Sequence, residues 1–476
     1  MQSQQLTSNK QVSSHTILAI LGTGLLSFCG ILLETAMNVT FPTLMHTFGV
    51  SISAVQWLTS GYLLVASLVM TLASYMHKQF KLKLLFIWAV DLFFVGLFLC
   101  IYAINFPMLL IGRLIGGIAT GMSTPLLFGI INYDIPVQKL GRYMAMGAII
   151  VSMASVGPTY GGLVLFHLGW RAIFWIVLPL AVFAAILGIF NIRQTRPIHK
   201  TQLDLKGFLW LAGVFVLISL AFNEAAVHGW ASLFFWILLL LGFASGWLYA
   251  NHALHLSTAL INIHIFKYHR FVLSFVAYAL CQLINIGMSF LLPNYGQLVV
   301  GANSLWAGLL LLPGSLLRLF LMPFGGVVLD KKGAAMPILT GISTTLLSGI
   351  LFLSFQSYLT IPLMTLFYAL FSAGFSLTFS NLLTDGMKQL PGDLKGDGNA
   401  AFNAIQQYAG SIGASLMATF ISISQLHANG LTTTRATARG SMHDFVVLIV
   451  MALLMLGLQI FNFRLAKQKT NDSKVH

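Results

Sequence analysis

Four charged side chains stand deep inside long apolar stretches of this 476-residue chain: Glu34, Asp91, Arg113 and Arg318. A charge at the centre of a membrane-spanning helix costs about 2.5 kcal/mol or more, so it persists mainly where it has a task. Asn38 follows Glu34 by one helical turn, which puts both on one face. A carboxyl group withdrawn from water can carry a proton near neutral pH and release it on exposure or on meeting a cation. Glu34 with Asn38 is therefore the first candidate for proton and substrate coupling. Arg113 can sense the protonation of such an acid or hold it ionised, and its plainer role is to cap backbone carbonyls. Asp91, between Trp88 and Phe93, must face protein or water, and a pairing role and a coupling role both stay open. Arg318 either snorkels toward Lys331 and Lys332 or lines a path. Gln282, Asn285, Asn403, Gln406 and Gln407 are expected along a substrate pathway, because polar groups avoid lipid. Trp57, Tyr62, Phe128, Tyr278, Phe290, Tyr295, Phe379 and Tyr408 are aromatic candidates for a greasy cavity wall, although most aromatics in so Phe-rich a chain pack or face lipid.

Other chemistries find little support. The histidines at 252, 255, 264 and 269 are too loosely spaced for a metal site, and none is expected. Cys29, Cys100 and Cys281 fall inside apolar runs and read as small packing residues. There is no G-x-x-x-x-G-K-[ST] loop, no recognisable nucleophile motif and no sizeable soluble segment, which argues against an enzyme and against direct use of ATP. No cofactor is expected; a proton gradient would supply the drive.

The elements that must position these groups are apolar runs of roughly 20 to 30 residues, about fourteen in all, each long enough to span a bilayer as a helix. They cover approximately 16–45, 52–76, 82–105, 107–130, 140–166, 171–191, 206–224, 232–252, 270–294, 304–329, 335–356, 359–383, 397–423 and 443–465. The chain is 58% hydrophobic and 8% charged, with a mean hydropathy of +0.87, which no soluble domain of this size needs. Its net charge of +14 would suggest nucleic acid in a soluble protein. Here the cations anchor loops to anionic lipid, so membrane lipid is the expected partner and nucleic acid is not. Lys10, Lys78, Lys81, Lys83, Lys139, Arg142, Arg193, Arg196, Lys200, Lys206, Lys267, Arg270, Lys331, Lys332, Lys388, Lys395, Arg464, Lys467, Lys469 and Lys474 fall on one side of alternating runs. Arg171, Arg435 and Arg439 fall on the other. The positive-inside rule then puts both termini in the cytoplasm.

The plan is six, two and six. A tail (1–15) leads to an N-terminal six-helix bundle (16–191), a linker (192–205), a two-helix insert (206–252), a second linker (253–269), a C-terminal six-helix bundle (270–465) and a tail (466–476). The basic turn after the second helix of each half forms a weak repeat: 73–81 in the first, Gly326 to Gly333 in the second. Inverted or repeated halves point to a rocking transporter. Gly157-Pro158 and Gly161-Gly162 suit a bent, closely packed hinge. Gly326, Asp330, Lys331 and Gly333 suit a cytoplasmic latch, with Asp330 in a turn where it can pair or cap in one conformation only.

At these residues the chain resembles the major facilitator superfamily, and within it the 14-helix drug:proton antiporters. Gly326 to Gly333 matches G-x-x-x-D-[RK]-x-G. Gly157 to Gly162 matches the exporters' G-P-x-x-G-G, and Trp170-Arg171 to Phe174 with Pro179 resembles the sixth-helix segment. Leu33 to Pro42 resembles the first-helix motif with Glu34 in place of Asp, Arg113 and Gly117 match R-x-x-x-G, and Gly398 to Gly413 resembles the thirteenth helix. His77 and Phe80 depart from the first-half loop, a pattern similar to lincomycin-type multidrug exporters. The resemblance implies an all-α membrane fold of two six-helix bundles plus two extra helices in a bacterial plasma membrane. It also implies proton-coupled antiport of lipophilic, drug-like small molecules, cationic or neutral, by a monomer. A carrier for one solute, coupled or not, and a channel or membrane sensor remain the alternatives.

Overall fold

The structure, a computed structural model, describes residues 12–194, 198, 202–256, 259–428 and 430–475. The expected cytoplasmic residues Lys10, Arg196 and Lys200 lie outside the described residues.

Fourteen helices are long and apolar enough to cross a membrane: α1 (Ser14–Met37), α2 (Ile52–Thr71), α3 (Leu82–Ile101), α4 (Phe106–Asp134), α5 (Lys139–Leu168), α6 (Trp170–Asn191), α7 (Leu205–His228), α8 (Leu233–Leu254), α9 (His269–Leu298), α10 (Ser304–Lys332), α11 (Ala335–Ser354), α12 (Ile361–Lys388), α13 (Lys395–Leu426) and α14 (Thr433–Ala466). Large apolar side chains such as Phe190, Phe320 and Trp247 are exposed on their outer faces, as a lipid-facing surface requires.

Several boundaries differ from the hydropathy reading. The run 16–45 is not one spanner: α1 stops at Met37, and Thr40 donates its hydroxyl to the Met37 carbonyl at 2.7 Å. A short helix, Phe41–Phe48, follows with Pro42 in its first turn, where no N–H is missed. The polar break expected at 424–442 is shorter, because α14 starts at Thr433. Its Thr437 and Ser441 hydroxyls bond the carbonyls of Thr433 and Thr437, so the helix itself absorbs polarity that hydropathy counts as loop. Likewise α12 continues to Lys388 and takes in Asp385. Asp330 lies not in a turn but in the last turn of α10, and the turn begins at Gly333, whose φ of 82° suits a residue without Cβ.

The first six helices pack chiefly on one another, as do α9 to α14. The insert sits outside: α7 lies against α13 and α8 against α7. Hydroxyls of Tyr408, Thr419 and Ser422 on α13 bond carbonyls of Val214, Phe222 and Ala226 on α7, and Trp57 Nε1 donates to Asn223 at 2.7 Å. The two six-helix sets meet along α2 with α13 and along α5 with α10. Hydrogen bonds join them at Asn38–Ser289, Asn294–Asn38, Gln297–Val39, Thr159–Gly308, Ser304–Gly162, Ser315–Ser155, Ser411–Ser60 and Ser415–Gln56. These bonds run from mid-helix to the end at which α1 stops, opposite the end that carries the lysines.

The Gly-Pro segment makes this seam possible. A 3₁₀ turn, Met153–Val156, interrupts α5, and Pro158 opens the segment after it. A Cβ on Gly157 would strike Thr35 and the Leu32 carbonyl, and one on Gly161 the Ala36 backbone, so α5 lies directly on α1. A Cβ on Gly162 would strike the Ser304 carbonyl and Gly308, so α5 also meets α10 backbone to backbone. Gly326, by contrast, would place a Cβ in open space. Gly162→Val is therefore expected to cost about 1–3 kcal/mol. A thermal melt of the purified protein should show a clear drop for that variant and none for Gly326→Val, and equal melting of the two would refute the close-approach reading.

Candidate functional site

On the basic side of the seam the two sets enclose a cavity of about 440 Å³. That volume is within the range of small-molecule sites, roughly 300–1,000 Å³. Its wall comes from α1, α5, α9, α10, α12 and α13, that is, from both six-helix sets.

Glu34 projects from α1 into this wall beside Ile31 and Thr35. Its side chain is buried and has no hydrogen-bond or ion-pair partner among the described residues. The carboxyl group faces the cavity rather than a hydrogen-bond or ion-pair partner. Pro158 and Ser155 bring the interrupted part of α5 to the same wall. Across from them, Gln282, Asn285, Gln406 and Gln407 line the cavity, with Asn285 donating to Gln282 at 3.4 Å. Asn403 sits a turn earlier in α13, half-buried and off the wall.

Asn38 and Arg113, the other coupling candidates of the first half, do not line this cavity. Asn38 is the residue at which α1 ends; its side chain accepts from Thr59 at 2.8 Å and donates to Ser289, so it ties the two sets together on the closed side. One turn of separation puts Glu34 and Asn38 at different levels of the seam, the first in the cavity and the second in the joint. Arg113 on α4 is buried and lines a separate void of about 10 Å³ with Gly30, Tyr62 and Cys100. Its Nε donates to the Leu58 carbonyl at 3.2 Å, its guanidinium lies 4.3 Å from the Tyr62 ring centre, and its Nη2 is buried without a partner. Tyr62 and Thr120 share a hydrogen bond of 2.5 Å. Arg113 thus stands behind α1, locked by an aromatic face and one carbonyl.

Asp91 is exposed on the outer face of α3, and the cavity does not include it. Asp330 is exposed and has no ion-pair partner among the described residues. Lys331 and Gly333 flank it at the end of α10.

The structure brings to the site a cation whose place the sequence left open. Arg318 on α10 lines the cavity, 8% exposed, with Nη2 donating to the Tyr368 hydroxyl at 3.0 Å. Tyr368, Phe375 and Phe379 form the aromatic wall, whereas of the eight aromatics expected there only Phe379 touches the cavity. Tyr278 stacks behind Phe379 at 4.4 Å; Trp57 and Tyr408 hold α7. The signal for Arg318 was its depth in α10, and a run of one apolar helix cannot say which face is turned inward. Two further buried acids escaped notice because they fell near expected helix ends. Asp385 accepts from Ser274 and Asn462 and lies 3.9 Å from Arg270. Asp444, fully buried in α14, has both oxygens unpartnered.

Comparison with known proteins agrees with this architecture. Residues 23–414 match the family model of the Major Facilitator Superfamily. An uncharacterized MFS-type transporter of Bacillus subtilis, YhcA, is 31% identical over 405 residues, spanning 85% of this chain and 76% of that one. The lincomycin resistance protein LmrB of the same organism is 29% identical over 460 residues, 94% of this chain and 96% of that one. Among solved structures, the POT family transporter PepTSo superposes with a TM-score of 0.68 over 97% of this chain and 99% of its own, at 16% identity.

The placement of Asp91 makes a direct prediction. Asp91→Asn should leave gradient-driven transport in proteoliposomes within about twofold of the parent, as expected for a substitution away from the site. A tenfold loss would return Asp91 to the coupling path.

Proposed function

We propose, from the premise that this chain belongs to the major facilitator superfamily, that it exports lipophilic, drug-like small molecules in exchange for protons. The chain is a membrane transporter rather than an enzyme, multi-pass in the inner membrane. The kinship with a lincomycin resistance protein favours efflux. The observation that carries proton exchange is Glu34, a buried carboxyl on the cavity wall with no partner of its own.

In this reading Glu34 takes its proton when the cavity faces the acidic side. Cargo entering from the other side competes for the same wall. Proton and cargo cannot both be held well, and exchange follows from that exclusion. The seam parts on one side of the membrane as contacts form on the other, with Gly157, Pro158, Gly161 and Gly162 as the hinge on which α5 moves against α1 and α10. Asn38 is a clasp of the closed side. Gly326, Asp330, Lys331 and Gly333 form the latch of the opposite conformation. Arg113 supports α1 from behind and keeps the charge environment of Glu34 fixed. With the basic loops on the inside, the cavity lies on the cytoplasmic side of the seam.

Purified protein in proteoliposomes with an imposed pH difference tests this. Ethidium and rhodamine B should move against their gradients when protons flow the other way. Glu34→Gln should lower that movement about tenfold or more, equivalent to at least ~1.4 kcal/mol in the coupled step, with folding unchanged by circular dichroism. Dye movement that ignores the pH difference identifies an uncoupled carrier and rules out this reading.

A further inference from the structure

Arg318 is the only arginine on the cavity wall among the described residues, and no carboxylate lies within ion-pair distance of it. An uncompensated guanidinium inside a membrane protein is expensive and must be held for a purpose. Its holding is visible. The guanidinium lies 4.5 Å from the Phe375 ring centre, and its Nη2 is spent on the Tyr368 hydroxyl at 3.0 Å. Its Nε is buried with no partner. Stacking and one neutral hydrogen bond fix the plane of the fork but leave its remaining donors unmet.

The surroundings are aromatic in a directed way. Phe375 and Phe379 stack at 4.8 Å with their planes 22° apart, and Tyr278 continues the stack at 4.4 Å. A flat ring laid along this wall would carry a substituent toward the guanidinium. Glu34 is on the opposite set of helices, so the cavity has one acid and one permanent cation, on different walls.

We infer that Arg318 determines the specificity of the cavity: it receives the carboxylate, or a similar planar anionic acceptor, of an aromatic zwitterion whose cationic nitrogen faces Glu34. This rests on the exporter reading above only for direction and coupling. A carboxylate matches the guanidinium fork in geometry and charge. A cationic nitrogen at Glu34 competes with the proton, so the two charged residues divide the work. Glu34 exchanges, because it can be neutral. Arg318 selects, because it never is. A purely cationic aromatic satisfies Glu34 but leaves Arg318 unmet and binds more weakly, and a purely anionic one does the reverse.

Rhodamine B and its methyl ester test this, since they differ in whether the carboxylate is free. Binding is measured by fluorescence anisotropy on the full-length protein in lipid nanodiscs, with protein-free discs subtracted. The parent should bind rhodamine B at least about tenfold more tightly than the ester. Arg318→Gln should weaken rhodamine B about tenfold and leave the ester within about twofold, which also shows that the variant is folded. Arg318→Lys, which keeps the charge and loses the fork, should retain part of the preference. Equal affinities in the parent, or an undiminished preference in Arg318→Gln, would overturn the assignment. Gradient-driven dye movement with no such preference removes the assignment alone. The preference without gradient-driven movement supports the assignment while removing the exporter reading.

Discussion

The α5 and α10 backbones come together at Gly162 and Gly308, and the place of that contact decides where the cavity can be. In hydrocarbon, two apolar helix faces gain little by hiding from lipid, so helices associate through close approach and hydrogen bonds. The seam offers both. Several of its bonds are hydroxyl to carbonyl: Thr159 to Gly308, Ser304 to Gly162, Ser315 to Ser155 and Ser411 to Ser60. A hydroxyl on a helix can turn back to a carbonyl one turn earlier, as Thr419 does to Ser415 in this chain while also reaching Phe222. A seam of this composition can part without stranding its donors. Bulky interlocked side chains would not allow that, and the joint would be permanent.

The deep charges sort by how the fold answers each one. Arg113 is answered by an aromatic ring and a carbonyl, away from the cavity. Asp385 is answered by Ser274, Asn462 and Arg270 near the basic end of the second set. Asp91 is not enclosed at all. Glu34 and Arg318 alone among these face the cavity, and neither is paired with an opposite charge. Incomplete pairing is unfavourable for folding, and both groups are left without an opposite charge at ion-pair distance. The unpartnered Asp444 in α14 shows that the second set has a buried acid of its own, without access to the same space.

Much of this was legible in the residue order. Charge at the ends of apolar runs and the Gly-Pro and Gly-x-x-x-Asp segments pointed to the family and its helix count, because bilayer thickness imposes a length on every spanner. Glu34 was legible for the same reason: an acid in the first run is conspicuous. Helix ends were less so. Hydroxyl-rich ends such as 433–442 look like loops to hydropathy but satisfy themselves within a helix. Asp330 looked like a turn residue because a glycine follows it, yet the helix persists until that glycine.

By itself, then, the sequence determined which segments cross the membrane, the side on which their cations collect, and that one acid in the first of them is out of place unless it has work to do. Each of those is set by a residue's own transfer energy or by spacing along one helix. The tertiary structure alone decided that Glu34 and Arg318 share a cavity, that Asn38 belongs to the joint, and that Arg113 lines a separate void behind α1. Those facts depend on how helices distant in sequence are rotated about their axes, and rotation is settled by contacts such as Gly162 against Gly308 that no single segment contains.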